Sequence, residues 1–163
     1  ERLPELKTAL AENPSDIEAL LAQFHVDPGP APLLAHRAEL DAAFGLGSVE
    51  AILAALEAGS DWARAQALAL RTKSPQTLKV AFRQLALGLA APDFAANMTM
   101  EYRIGARVVQ RHDFLEGVRA VIVDKDNAPK WDPARLEDVG EALLDAIFAP
   151  LPADQEWSPL PGA

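Results

Sequence analysis

The residues that could do chemistry are few and widely scattered. The chain has no cysteine, which excludes thiolate metal sites and cysteine nucleophiles. Its three histidines, His25, His36 and His112, include no pair at the i,i+4 spacing of a helical zinc site, so we expect no metal site. His112 and Asp113 suggest an acid–base pair. Adjacent residues at a helix boundary point in different directions, however, and Asp113 is predicted to cap a helix, so a catalytic role is disfavoured.

Two short loops resemble ligand-binding motifs but are incomplete. Residues 45–48 (GLGS) lack the lysine and the remaining glycine of a phosphate-binding loop, so a helix end followed by a Ser48 cap explains them better. Residues 124–127 (DKDN) follow a calcium loop for three residues only and lack its glycine and terminal glutamate. We expect neither loop to bind a phosphate or a metal.

Three arginines recur at i,i+4 spacing, at Arg103, Arg107 and Arg111. On a helix this spacing puts like charges on one face, which destabilises it by roughly a few tenths of a kcal/mol per pair. Something anionic should therefore face them. One interpretation is pairing with carboxylates of this chain, Glu101 and Glu116 among them. The other is a partner surface or a phosphate-bearing ligand.

The charge is unevenly distributed along the chain. The net charge of −9 argues against a generic nucleic-acid binder, since phosphate neutralisation needs an excess of lysine and arginine. Residues 64–135 nevertheless hold 12 of the 15 basic residues and seven of the 24 acidic ones, a local net charge of +5. Such a segment is either an anion-facing surface or a basic face that pairs with the acidic flanks.

The hydropathy pattern predicts a soluble protein. Half of the residues are apolar, but no run approaches the ~18 uninterrupted apolar residues of a membrane span. No secretory signal is evident, so we expect a cytoplasmic location and no membrane contact. The chain begins at Glu1 rather than at a methionine, which suggests that it starts inside a larger polypeptide. A tag remnant or processing would also explain this start.

Helix signals recur at short intervals and must position these residues. Candidate N-caps that precede apolar stripes are Ser15, Ser48, Ser60, Ser74, Asp93 and Asp113. After Ser74, a stripe at Leu78, Phe82, Leu85 and Leu89 predicts one amphipathic helix. The β-branched run 121–123 is too short to favour a strand, and no useful period-2 alternation occurs. We therefore predict an all-α, irregular helical bundle.

The predicted bundle spans residues 1–148. Residues 149–163 form a proline-rich tail, which we expect to lie extended on the surface or to be disordered.

Three stretches together resemble the C-terminal region of 3-hydroxyisobutyryl-CoA hydrolases, a branch of the crotonase (enoyl-CoA hydratase/isomerase) superfamily. The resemblance covers about residues 72–139, and residues 1–71 fit the less distinctive helices expected upstream. The stretches are SPQTLKVAFRQL (74–85), MEYRIGARVVQRHDFLEGVRAVIVDKDNAPKW (100–131) and DPARLEDV (132–139).

The resemblance implies that catalysis belongs to another part of the parent protein. In that family an α/β spiral of ββα units precedes this region and holds the thioester oxygen with two backbone N–H groups. None of those elements matches a position here, so we predict no catalytic residue in this chain. Implied partners are that N-terminal core, an acyl-CoA substrate and a further copy in a homo-oligomer. Coenzyme A enters as part of the substrate, with no separate cofactor.

The resemblance also suggests where coenzyme A could be touched. A lysine that can contact the CoA phosphates in the wider superfamily matches Lys125, and Lys130 is a second candidate. A solvated lysine in a turn is the alternative for both.

The leading hypothesis is the C-terminal helical part of an acyl-CoA thioester hydrolase of valine catabolism. That part would cover the acyl-CoA site or make subunit contacts without catalysing by itself. Alternatives are part of an enoyl-CoA hydratase/isomerase, or a non-catalytic helical interaction module.

Overall fold

The computed structural model describes residues 2–157, and within that range the chain is helical without any strand. The all-α prediction is confirmed. Shorter helical turns lie at Pro32–His36, Arg119–Val123 and Leu136–Asp138. The nine α-helices of the described range are α1 (Leu3–Glu12), α2 (Ile17–Phe24), α3 (Arg37–Phe44), α4 (Val49–Glu57), α5 (Asp61–Arg71), α6 (Pro75–Leu89), α7 (Phe94–Val108), α8 (His112–Val118) and α9 (Glu141–Phe148).

The described chain divides into two compact units, residues 2–37 and residues 38–157. In the first unit α1 packs against α2, and the Arg2 guanidinium lies 4.4 Å from the centre of the Phe24 ring. Between the helices and the 3₁₀ turn, Asp27 accepts a hydrogen bond from the Gly29 amide at 2.8 Å. Gly29 adopts a φ of 74°, which a residue with a side chain rarely adopts.

The second unit contains two apolar cores. The first lies mainly between α4 and α5, where Leu53, Leu56 and Ala67 are buried. The second lies among α6, α7 and α9, where Val80, Ile104 and Ile147 are buried. The packing of α9 against α7 positions the chain that follows Phe148.

Four of the six predicted N-caps are confirmed. Ser48, Ser60, Ser74 and Asp93 each accept a hydrogen bond from the backbone amide three residues ahead. Each satisfies a helix-terminal amide that lacks a partner within the helix.

The other two cap predictions, at Ser15 and Asp113, are wrong. Helix α2 begins behind Asp16, which makes no side-chain cap. Asp113 lies inside the first turn of α8, whose N-cap position is Arg111, and its carboxylate is engaged by other groups.

The run 121–123 is helical, as predicted. Helix α8 passes into a wider turn over Arg119–Val123, in which the Asp124 amide donates to the Arg119 carbonyl at 2.8 Å. The i→i−5 bond marks a π turn, and such turns commonly occur at functional sites. It brings the residues after Asp124 back toward α8.

No described helix has the length and apolar character that crossing a bilayer requires. After α9, the Gln155 amide donates to the Pro152 carbonyl at 2.8 Å and closes a turn. The proposed boundary of a tail at residue 149 stays a prediction, and residues 158–163 lie outside the described range.

Candidate functional site

Lys125 and Lys130 lie on one exposed loop that follows the π turn. Neither lysine forms an ion pair with any described residue. Lys125 and Asn127 adopt φ values of 56° and 51°, so the backbone here is left-handed at two positions. Asparagine tolerates this conformation well and lysine does less so, which indicates that other contacts hold the loop.

Arg119 holds this loop through four groups. Its guanidinium donates to both oxygens of Glu116, each at 2.8 Å. It also donates to the carboxylates of Asp124 and Asp126, each at 2.7 Å, and to the Ala128 carbonyl at 3.3 Å. The two aspartates belong to the segment that resembles a calcium loop, and the structure gives their carboxylates an arginine partner.

Glu116 joins α8 to the far side of the loop. Its side chain is 11% exposed, and it accepts a hydrogen bond from the Lys130 amide at 2.7 Å in addition to the Arg119 bonds. The Arg119 guanidinium, followed by the Lys130 amide, lowers the pKa of Glu116 to about 2. The hydrogen bonds to Glu116, Asp126 and Asp124 raise the pKa of Arg119. This ion pair therefore stays charged at neutral pH.

His112 contacts the loop at the same point. Its Nε2 lies 2.8 Å from the Lys130 carbonyl oxygen, and that bond raises the pKa of the imidazole. Desolvation opposes the shift, and the nearby carboxylates of Asp113, Asp132 and Glu116 add to it. A carbonyl only accepts, so the Nε2 nitrogen carries the proton.

Asp113 ties three segments together from a buried position. It is 4% exposed, and its carboxylate accepts from the Ser74 hydroxyl and, at 2.8 Å, from the Asp132 amide. The Ser74 hydroxyl in turn caps α6. His112 and Asp113 thus bond to different groups, as expected for neighbours at a helix boundary.

An open apolar groove of about 490 Å³ lies beside the loop. The Trp131 indole borders it and donates to the Thr72 carbonyl at 3.1 Å. Among the apolar side chains that line the groove are Leu78, Val108, Phe114, Val118, Val121 and Ile122. The site therefore combines a fixed loop with two unpaired lysines and an apolar groove, which suits a ligand that has both anionic and apolar parts.

A second cavity of about 380 Å³ between α4, α6 and α9 offers no such cation. Lys79 pairs with Glu50 at 2.8 Å and lowers the pKa of that carboxyl. Arg83 pairs with Asp145 at 2.7 Å. The basic side chains that line this cavity are therefore paired with carboxylates of the chain.

Of the three arginines, only Arg103 pairs with a carboxylate of the described chain, as the first interpretation predicted, and its partner is neither Glu101 nor Glu116. Arg103 donates to both oxygens of Glu156 at 2.9–3.0 Å. Glu101 makes no ion pair with a described residue, and Glu116 belongs to Arg119. Glu156, the partner of Arg103, lies 53 residues later in the sequence, so no local spacing pattern predicts this pair.

The other two arginines bind neutral oxygens. Arg107 donates to the Ala149 carbonyl at 2.6 Å and to the Pro150 carbonyl at 2.9 Å. Arg111 donates to the side-chain oxygen of Gln76. Because α7 ends at Val108, Arg111 does not lie on the same helix as the other two.

A protein-family model described as enoyl-CoA hydratase/isomerase matches residues 1–148. The chain belongs to the enoyl-CoA hydratase/isomerase family. The superfamily resemblance read from the three sequence stretches is confirmed.

The hydrolase branch of the family is also represented among the relatives. The chain is 38% identical over 160 residues to the mitochondrial 3-hydroxyisobutyryl-CoA hydrolase of Gallus gallus, covering 92% of this chain and 41% of the relative. It is 41% identical over 143 residues to that of Danio rerio, covering 84% and 37%. The chain thus spans about two fifths of these relatives. Their names place them in mitochondria, so they do not support a cytoplasmic location.

One relative is named for a different role. The small ribosomal subunit protein mS47 of Arabidopsis thaliana is 39% identical over 152 residues, covering 86% of this chain and 37% of the relative. Similarity at this level therefore extends to a protein named for an assembly rather than for a reaction.

Solved structures agree on the family. A carnitinyl-CoA dehydratase from Mycobacterium thermoresistibile matches with a TM-score of 0.83 and 31% identity, covering 92% of this chain and 43% of that one. An enoyl-CoA hydratase from Rhodobacter sphaeroides matches with a TM-score of 0.74 and 30% identity, covering 96% and 44%.

Within this enoyl-CoA hydratase/isomerase chain, Arg119 is the residue missed at the sequence level, and Glu116 pairs with it instead of with the arginines predicted to face it. Their spacing of three on a helix is a signal for an ordinary ion pair. The contacts of Arg119 with Asp124 and Asp126 depend on the π turn, which the residue types do not reveal.

Proposed function

We propose that the chain is the C-terminal helical part of a 3-hydroxyisobutyryl-CoA hydrolase. The parent cleaves the thioester of 3-hydroxyisobutyryl-CoA with water and releases the free acid and coenzyme A, a step of valine breakdown. The observation that carries the proposal is the identity of 38–41% with two such hydrolases over 84–92% of the chain. The chain covers the acyl-CoA site and does not catalyse by itself.

The site geometry supports contact with an acyl-CoA. Lys125 offers an unpaired ammonium to the CoA phosphates, with Lys130 as a second contact on the same loop. A lysine binds phosphate as a compact point charge, so an exposed position on a fixed loop is sufficient. The neighbouring groove takes an apolar part of the same ligand or of the parent protein.

The exposed apolar side chains support the proposal that another part of the parent protein covers this surface. Leu85, Leu89 and Phe94 are 76%, 93% and 78% exposed. Contiguous exposed apolar surface commonly marks an interaction site. In the proposed parent, these residues pack against the remainder of the polypeptide, and other faces of the chain make contacts in a homo-oligomer.

The assignment is tested with the full-length polypeptide encoded by the gene. Incubated with 3-hydroxyisobutyryl-CoA, it should release free thiol, measured with a chromogenic thiol reagent. The isolated chain, at equal molar concentration, should release thiol no faster than buffer. An absence of thiol release by the full-length protein contradicts the hydrolase assignment.

A hydratase is the second candidate, favoured by the two solved structures, which are of a dehydratase and a hydratase. Its signature is loss of the enoyl absorbance of a 2-enoyl-CoA without release of thiol. A non-catalytic assembly role is the third candidate, favoured by the ribosomal relative. It predicts neither reaction with the full-length protein.

A further inference from the structure

Lys125 lies between two aspartates in the sequence, yet it pairs with neither. Asp124 and Asp126 are the nearest carboxylates along the chain and would ordinarily attract the lysine ammonium. Both are instead bonded to Arg119 at 2.7 Å. Lys125 makes no ion pair with any described residue.

The backbone around Lys125 is fixed from both sides. The Asp124 amide donates to the Arg119 carbonyl at 2.8 Å, and the Asn127 amide donates to the Ala120 carbonyl at 3.0 Å. The Asp126 carboxylate also accepts from the Ala128 amide at 2.9 Å. The left-handed turn at Lys125 is therefore held to the π turn that follows α8 by hydrogen bonds before and after it.

The charge balance of the cluster depends on Arg119. Three carboxylates, Glu116, Asp124 and Asp126, bond to this single guanidinium, and all three contacts raise its pKa. Without the guanidinium, the carboxylates of Asp124 and Asp126 in the loop and of Glu116 on α8 would lose their shared cation. They would attract the Lys125 ammonium and repel an anion that approaches it.

We propose that Arg119 is a positioning residue that keeps Lys125 free for a phosphate-bearing ligand by binding the carboxylates on either side of it. This inference rests on the proposed function, in which the ligand is the phosphate-rich end of coenzyme A. Arg119 itself does not touch the ligand. Its role is to neutralise the competing carboxylates and to hold the loop that carries the lysine.

The test measures binding of two ligands to the full-length protein by calorimetry at low ionic strength. Coenzyme A carries the phosphates and the adenosine, whereas pantetheine shares the thiol arm and lacks both. The variants are Arg119→Gln, Lys125→Ala and the double substitution. Arg135→Gln is the matched control, because Arg135 is an exposed arginine that pairs with Glu137 outside the cluster.

Arg119→Gln and Lys125→Ala should each weaken coenzyme A binding roughly fivefold, as expected for one exposed charge contact, and leave pantetheine unchanged. The double variant should be no weaker than either single variant, since both remove the same contact. Arg135→Gln should bind both ligands as the unmodified protein does. Arg119→Lys retains the charge but not the multidentate geometry. It should weaken coenzyme A binding by less than Arg119→Gln does and leave pantetheine binding unchanged.

Three results would overturn the inference. The first is that Arg119→Gln weakens the binding of coenzyme A and of pantetheine equally. The second is that the losses of coenzyme A affinity in the two single variants add fully in the double variant. The third is that the unmodified protein binds coenzyme A no more tightly than pantetheine. If Arg119→Gln does not fold, Arg119→Lys decides by the same criteria. The test needs no thiol release, so failure of the hydrolase assignment is distinguished from failure of this inference.

Discussion

At the scale of single residues, the charged side chain of Glu116 anchors the lysine loop. It bonds to Arg119 through both oxygens and to the Lys130 amide, so one carboxylate holds both ends of the lysine loop. A carboxylate that accepts several hydrogen bonds is stabilised in its ionised form, which accounts for its pKa of about 2. Protonation of Glu116 therefore weakens the anchorage of the loop.

This linkage predicts the pH dependence of stability. The pKa of Glu116 is lower in the folded protein than its ordinary value of 4.5, so ionised Glu116 stabilises the fold at pH values above 4.5. That contribution is lost as the pH falls from 4.5 toward 2. Compared by thermal unfolding, Glu116→Gln should therefore unfold at a lower temperature than the unmodified chain at pH 7, with a difference that shrinks below pH 4.5.

Glu101→Gln is the control for this series, because Glu101 makes no ion pair with a described residue. It should change the unfolding temperature little. A Glu116→Gln difference that stays constant from pH 7 to about pH 2.5 would contradict the linkage.

At the scale of helices, local signals were sufficient for most starts, missed the start of α2 by one residue, and failed at Asp113, where a distant contact competes with the cap. Ser48, Ser60, Ser74 and Asp93 cap as predicted because the bond they make spans three residues. Asp113 has the right residue type for a cap. Its carboxylate is instead taken by Ser74, 39 residues earlier, and by the Asp132 amide, 19 residues later.

Ser74 is therefore more than a cap. It accepts from the Thr77 amide at 3.0 Å and donates to the buried Asp113 carboxylate, so Ser74→Ala removes a cap and one partner of a buried charge. Ser48 is the matched control, because it accepts from the Ala51 amide at 3.1 Å and the structure shows it no second partner. By urea unfolding, Ser74→Ala should cost about 2–3 kcal/mol and Ser48→Ala about 1 kcal/mol. Equal costs would mean that the Ser74–Asp113 bond contributes nothing.

The apolar stripe of α6 shows what periodicity leaves open. The spacing of Leu78, Phe82, Leu85 and Leu89 correctly predicts one helix with one apolar stripe. Leu78 and Phe82 pack against the first core, whereas Leu85 and Leu89 are exposed. Periodicity tells which residues share a face, but the partner that covers the face is encoded elsewhere in the chain or in another chain.

At the scale of the whole molecule, the exposed half of this stripe links the fold to the proposed parent. Alanine substitution of a side chain that stays in water costs little, about 0.5 kcal/mol or less. Alanine substitution of a buried leucine costs about 2–5 kcal/mol. A stripe covered only in the full-length protein should therefore respond differently in the two forms.

The double substitution Leu85→Ala with Leu89→Ala should barely change the free energy of unfolding of the isolated chain, because these side chains are 76% and 93% exposed. In the full-length polypeptide it should cost about 2 kcal/mol or more, because the proposed function has the rest of the parent bury both side chains. Leu56→Ala is the control, since Leu56 is 1% exposed within the first core and should be costly in both forms. A small effect of the double substitution in both forms, with Leu56→Ala costly in both, would show that the rest of the parent leaves this face in water.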